Sequence, residues 1–273
     1  MTTTASRPRA DVAPDRFSAV RVTQGRVLTS EGIKLRSQRS VRWLVLASVL
    51  SIVAAALSTA VTAAFADDPA PGGAAAGTDP LGGALTGVSF TQVIIGALGV
   101  LVVTSEYSTG LIRATFAAVP TRLPVLWAKA AVTAVVVFVA TLAAAFISFF
   151  AARAVLSAAD VSLSLGAPGV LRALVGSALY LTVTAVLAVA FGWLVRSAIG
   201  AMAALFGLLF LVPLLGMLLP ATEPYLPTNA GAAILQVGST GGALSPWAGL
   251  AVFTAYAVVA LIVAAVALTR RDA

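Results

Sequence analysis

A chain of 273 residues that is 60% hydrophobic and 10% charged, with mean hydropathy +1.02, lies far from the roughly 25% charge of a water-soluble domain. It has neither Cys nor His, which excludes disulfides, thiolate chemistry, imidazole metal ligation and imidazole acid–base catalysis. A net charge of +7 would point to nucleic acid in a soluble protein, but in so apolar a chain it is better explained by retention of Lys and Arg on the cytoplasmic side of a membrane; no nucleic-acid partner is expected.

Residues 1–19 are polar, with Pro8, Pro14 and repeated Thr, and read as a disordered tail preceding one domain over 20–273. Over 20–39, Val20, Val27, Leu28 and Leu35 share one arc of a helix, while Arg26, Lys34, Arg36 and Arg39 lie mostly elsewhere. That pattern predicts an interfacial helix on the inner leaflet, the alternative being a solvated basic lead-in. Glu31 is the misfit, on the apolar side.

Six apolar runs follow, at about 41–65, 85–104, 125–150, 174–194, 198–219 and 247–268. A bilayer core of about 30 Å takes about 20 residues of helix, and backbone polar groups in lipid must be satisfied within the segment. The expected fold is therefore an all-α membrane protein with six transmembrane helices. The third run is long enough to tilt or to continue beyond the hydrocarbon. Pro213 is expected to kink the fifth. Ala64-Phe65-Ala66 before Asp67 resembles a signal-peptidase site, but the preceding apolar run is longer than a signal h-region, so it reads as a retained span.

With the N-terminus inside, the basic residues up to Arg42, then Arg113, Arg122, Lys129, Arg196, Arg270 and Arg271 are all cytoplasmic. Only Arg153 and Arg172 fall outside, along with Asp67, Asp68, Asp79 and Glu223. This bias predicts an N-in, C-in orientation. The excess of Arg over Lys and the abundance of Ala and Val are what a GC-rich bacterial genome produces, so the expected location is a bacterial cell membrane.

Catalytic signatures are missing. The sequence has no phosphate-binding G-x-x-x-x-G-K-[ST] and no H-E-x-x-H, and its acidic residues fall in loops, the tail or span ends. The glycine-rich stretches at 72–77 and 238–242 lack the strand-to-helix setting of a dinucleotide site and read as outer loops. Hydroxyls in the spans (Ser48, Ser51, Thr141, Thr182, Thr184, Thr254) are expected to bond backbone or a neighbouring helix. The loop after the second run is more informative. Ile112, Phe116 and Val119 are spaced i, i+4, i+7, which predicts a short amphipathic helix over about 110–118, capped by Ser108 or Thr109 and ended by Pro120 and Pro124. Its apolar face can fit a groove on a soluble partner or fold back on the membrane.

Three stretches together resemble the small six-span permeases of type-2 ATP-binding-cassette (ABC) transporters. They are Glu31-Gly32-Ile33-Lys34-Leu35-Arg36-Ser37; Glu106-Tyr107-Ser108-Thr109-Gly110-Leu111-Ile112-Arg113-Ala114-Thr115; and Leu226-Pro227-Thr228-Asn229-Ala230-Gly231 with Leu244-Ser245-Pro246-Trp247 and the terminal Arg270-Arg271-Asp272. Gly32 departs from the family's usual aromatic.

The resemblance implies a non-enzymatic membrane subunit, an exporter by family, that pairs with a second permease copy and with separate ATP-binding subunits. ATP and Mg would bind only in those ATPases. It makes Glu31, Lys34, Leu35 and Arg36 part of an elbow helix. It makes the loop after the second span a coupling helix, with Glu106 and Arg113 as polar anchors, Gly110 permitting a tight turn, and Tyr107 and Phe116 as contacts. It also implies short helices over 220–246 that dip into the outer leaflet. Close approach between spans two and five of the two copies would use Gly96, Gly99, Gly200, Ala204 and Gly207, or these small residues pack within one chain. A stand-alone carrier or channel, and a non-transporting assembly or immunity factor, stay open as alternatives.

Overall fold

A computed structural model describes residues 23–64, 80–119, 121–158, 164–216, 218–237 and 244–270. The tail, the 72–77 and 238–242 loops, Phe65, Pro120, Arg271 and Asp272 lie outside these residues. Among the described residues all regular structure is helical: α1 (Gln24–Ser37), α2 (Arg39–Ala64), α3 (Pro80–Ser108), α4 (Leu111–Ala118), α5 (Leu123–Ser157), α6 (Val170–Val195), α7 (Ala198–Phe206), α8 (Val212–Leu215), α9 (Pro227–Ala232) and α10 (Pro246–Arg270), with single 3₁₀ turns at Glu223–Tyr225 and Ala233–Leu235.

Among the described residues five helices are long and apolar enough to cross a membrane: Arg39–Thr62, Gly87–Ser108, Leu123–Ser157, Val170–Val195 and Pro246–Arg270. The fifth predicted run is the exception. Its apolar helix is Ala198–Leu214, about 25 Å long at the α-helical rise, and it is interrupted by a π-helical turn at Gly207–Leu211. Pro213 is the physical reason. It has no N–H for the Leu209 carbonyl one turn earlier, and the Thr228 hydroxyl donates to that carbonyl instead. At 35 residues, α5 is about 52 Å long, longer than the hydrocarbon core, as the length of its apolar run implied.

The centre of the bundle is α3 and α6, packed on each other. Helices α2, α5 and α10 flank them, and α7 lies against both. The flanking helices turn large apolar side chains outward, including Trp43, Leu50, Val135, Val139, Val259 and Ile262. An apolar belt of this extent is incompatible with water and compatible with a multi-pass membrane protein. The hydroxyls expected to bond backbone do so: Ser48 to the Val45 carbonyl, Thr141 to Val137, Thr182 to Ala178, Thr184 to Tyr180 and Thr254 to Leu250. Ser51 instead accepts a hydrogen bond from Thr91, joining α2 to α3.

Two of the small residues proposed for contact between copies are occupied within the chain. A Cβ on Gly99 would stand 2.6 Å from the Ala185 carbonyl oxygen and 2.6 Å from the Ala188 Cβ of α6. One on Gly96 would meet Leu205 and Phe206 of α7 at 3.1 Å. Both pack within the α3–α6–α7 core of one chain, the second of the two uses open to them. Gly99→Ala therefore forces backbone apart and is expected to cost about 1–3 kcal/mol. Gly207→Ala, where the added methyl meets nothing within 4 Å, should melt near the parent in detergent. Equal melting of the two variants would contradict this packing.

At the end opposite α4, the region 220–246 does hold short helices. Ala230 and Ile234 are fully buried, Gly249 packs on the Ala230 carbonyl, and Arg172 donates to the Gln236 carbonyl at 2.6 Å.

Candidate functional site at the basic end

The N-terminus of α2, the C-terminus of α3, the N-terminus of α5 and the C-termini of α6 and α10 meet at one end, where Val27, Val103, Ile112, Phe116, Leu126, Trp193 and Leu268 form one apolar cluster. Arg26, Lys34, Arg36, Arg39, Arg42, Arg113, Arg122, Lys129, Arg196 and Arg270 belong to the elements that gather there. Arg153 and Arg172 belong to the other end.

Three buried charges and the half-buried Lys34 form a closed ring of alternating sign at this end. Lys129 Nζ donates to Glu31 Oε2 at 2.6 Å and to Glu106 Oε1 at 2.9 Å. Lys34 Nζ donates to Glu31 Oε1 at 2.7 Å and to Glu106 Oε1 at 3.2 Å, and reaches Thr115 of α4 at 3.3 Å. Glu31, Glu106 and Lys129 are each no more than 2% exposed. An isolated buried ion costs several kcal/mol, so the sequence can hold these three only because every charge has two neighbours of opposite sign. The ring ties α1, α3, α4 and α5 into one body.

Burial alone would lower the Lys34 pKa. The hydrogen bond and charge of Glu31, with the charge of Glu106, outweigh it and hold Lys34 above its ordinary value. A raised lysine contributes stability that is complete below its ordinary pKa and is lost only as pH rises through the raised one. The ammonium is thus fully in place at neutral pH.

Glu31 faces the apolar side of α1 beside Val27 and Leu35 because it is a ring member, and this resolves its misfit. Glu106, a polar anchor of the loop in the resemblance, points inward to the two lysines. Leu35 is buried, Arg36 is exposed, and at Gly32 an added Cβ would meet nothing within 4 Å.

Helix α4 exists where the i, i+4, i+7 spacing placed it, but its cap differs. Gly110, at φ 72°, precedes the first turn in the left-handed region that glycine enters without a Cβ penalty. Ser108 and Thr109 bond the Ser105 carbonyl behind it. Pro124 opens α5 and does not close α4. Its apolar face is turned inward. Ile112, Phe116 and Val119 are buried in the end cluster, leaving Leu111, Arg113, Ala114, Ala117 and Ala118 facing out.

Phe116 stacks on Trp193 of α6 at 6.2 Å, and Tyr107 meets the same indole edge-on at 5.9 Å. Arg122 lies over the Phe116 ring and Arg196 over the Tyr107 ring. Aromatic contact thus runs from α4 through α6 to the end of α3.

Gly200, Ala204 and Gly207 lie elsewhere, along α7 and its π turn. Ala204 is exposed there, as are Ile199, Leu211 and Leu214. Sequence reasoning missed Lys129, Trp193 and Arg196 as site residues. A lysine inside the apolar run 125–150 was the available signal, because a charge at such a place is normally paired. No group of metal-binding side chains occurs among the described residues. No protein-family model matches the chain, and no curated protein matches it either.

Proposed function

We propose that the chain is the membrane-spanning permease subunit of an ABC exporter, set in a bacterial cell membrane with its basic end in the cytoplasm and driven by separate ATP-binding subunits that carry ATP and Mg. The observation that carries this reading is α4, a short helix at the basic end. It is joined to α1, α3 and α5 by the charge ring and to α6 by Trp193, with one face left open for a partner. A helix so joined moves the transmembrane helices when it is moved. In this reading α1 is the elbow helix, the Ala198–Leu214 segment completes six spans, and a second permease copy packs on the α7 face around Ala204, Gly207 and Leu211. The short helices near α9 close the exit side.

In this reading, with Phe116 buried, the residues offered to the ATPase are the exposed Leu111, Arg113 and Ala114. Co-expression with an ABC ATP-binding protein, sought first in the neighbouring reading frames, tests this. Arg113→Glu with Ala114→Trp is expected to lower ATPase capture about tenfold, a loss of about 1.4 kcal/mol, while the melting of the permease stays unchanged. Glu106→Ala is a poorer probe, because it opens the ring. Undiminished capture by the double variant, or ATP-independent transport by the purified chain in liposomes, overturns the proposal, the latter in favour of a stand-alone carrier.

A further inference from the structure

Between the end of α3 and the turn from α6 to α7 lies a cavity of about 550 Å³, lined among others by Ser105, Tyr107, Arg196, Ser197 and Ala198. That volume is within the range of small-ligand sites. Just behind its wall, Ser105 Oγ, the Tyr107 hydroxyl and Arg196 Nε are buried without a hydrogen-bond partner, within a side-chain rotation of an occupant. Buried donors are rarely left unspent.

We propose that this cavity is a binding site for a phosphate-bearing anion, with Arg196 and the Tyr107 hydroxyl as its principal donors. The charge balance selects the sign. Arg196 has no carboxylate partner among the described residues, and the guanidinium charges of Arg196 and Arg122 both act on Tyr107, opposed by the single carboxylate of Glu106. Glu106, next in sequence to both Ser105 and Tyr107, does not line the cavity; its Oε1 accepts from Lys34 and Lys129, while its buried Oε2 has no hydrogen-bond partner.

The backbone supports the same reading. Arg196 caps α6 at φ 59°, a left-handed conformation in which glycine would be the less strained choice. The chain keeps arginine there, with the guanidinium 5.6 Å from the Tyr107 ring centroid. Ser197 Oγ accepts from the Gly200 N–H, and its own proton and the Ala198 N–H at the first turn of α7 remain to donate. A guanidinium with hydroxyl and amide donors at the basic end of a helical bundle suits a phosphate, whether on a lipid headgroup or free.

The site does not depend on any ATPase, so its test is separate from that of the proposed function. Purified, lipid-stripped full-length chain in neutral detergent is titrated with phosphatidylglycerol in one arm and inorganic phosphate in the other, followed by native mass spectrometry and melting. Binding of phosphatidylglycerol alone assigns the lipid source; binding of inorganic phosphate as well assigns a free anion. In either arm Arg196→Gln should weaken binding about tenfold or more. Tyr107→Phe, which removes only the hydroxyl, should weaken it less and carries the test if the arginine variant does not fold. Arg153→Gln, exposed at the opposite end, should leave binding unchanged. The proposal fails if neither probe binds, if both cavity variants bind like the parent, or if Arg153→Gln weakens binding as much as Arg196→Gln.

Discussion

Lys129→Met is expected to be among the most damaging single substitutions in the chain. It leaves Glu31 and Glu106 buried with only the half-buried Lys34 between them, so two carboxylates face each other with one compensating charge. Removing one partner from a buried ion pair costs about 3–5 kcal/mol, most of it the penalty of the charge left behind. The expected result is a large loss of folded yield and a melting temperature well below that of the parent in the same detergent. Partial rescue separates this from simple loss of packing. Lys129→Met with Glu106→Gln removes one charge of each sign and should recover much of the loss, whereas Glu106→Gln alone should not be silent. If Lys129→Met melts like the parent, the ring is not what joins α1, α3 and α5.

The helices were legible because apolar runs of twenty residues have few other meanings. The charge ring was half legible. Glu31 on the apolar side of α1 was the mismatch that pointed to it. Its partner Lys129 reads in the sequence as one more cytoplasmic cation, because it stands near the start of an apolar run, where a lysine is ordinary. Only the packing of α1 along α5 brings the two together.

Periodicity likewise located α4 but could not orient it. An i, i+4, i+7 face says that something apolar covers it, and Trp193, whose position in space depends on how α6 packs, turned out to be the cover. Gly96 and Gly99 carry the same ambiguity: small residues announce a close backbone without saying whose. Pro213 announced a disturbed helix, while the hydroxyl that satisfies the freed carbonyl comes from Thr228, beyond the end of that helix.

If α4 receives motion from an ATPase, the route into the bundle crosses the Phe116–Trp193–Tyr107 contacts. Substitutions there should then separate docking from transmission. Phe116→Leu and Trp193→Leu keep an apolar side chain in the cluster and leave the outer face of α4 untouched, so ATPase capture should persist. Movement of the far end should not. The chain has no cysteine, so a single Tyr225→Cys, exposed in the 3₁₀ turn at the opposite end, reports that movement by its labelling rate. In the parent complex a non-hydrolysable ATP analogue should change the rate. Coupling between distant sites is typically about 1–3 kcal/mol, so losing it should shrink the response about fivefold or more. The double variant should lose little beyond either single one, since both interrupt one contact. A full nucleotide response in both single variants would place transmission elsewhere, with the ring of Lys34, Glu31, Lys129 and Glu106 as the remaining rigid link. Loss of capture in both would instead make the aromatic contacts part of the docking surface.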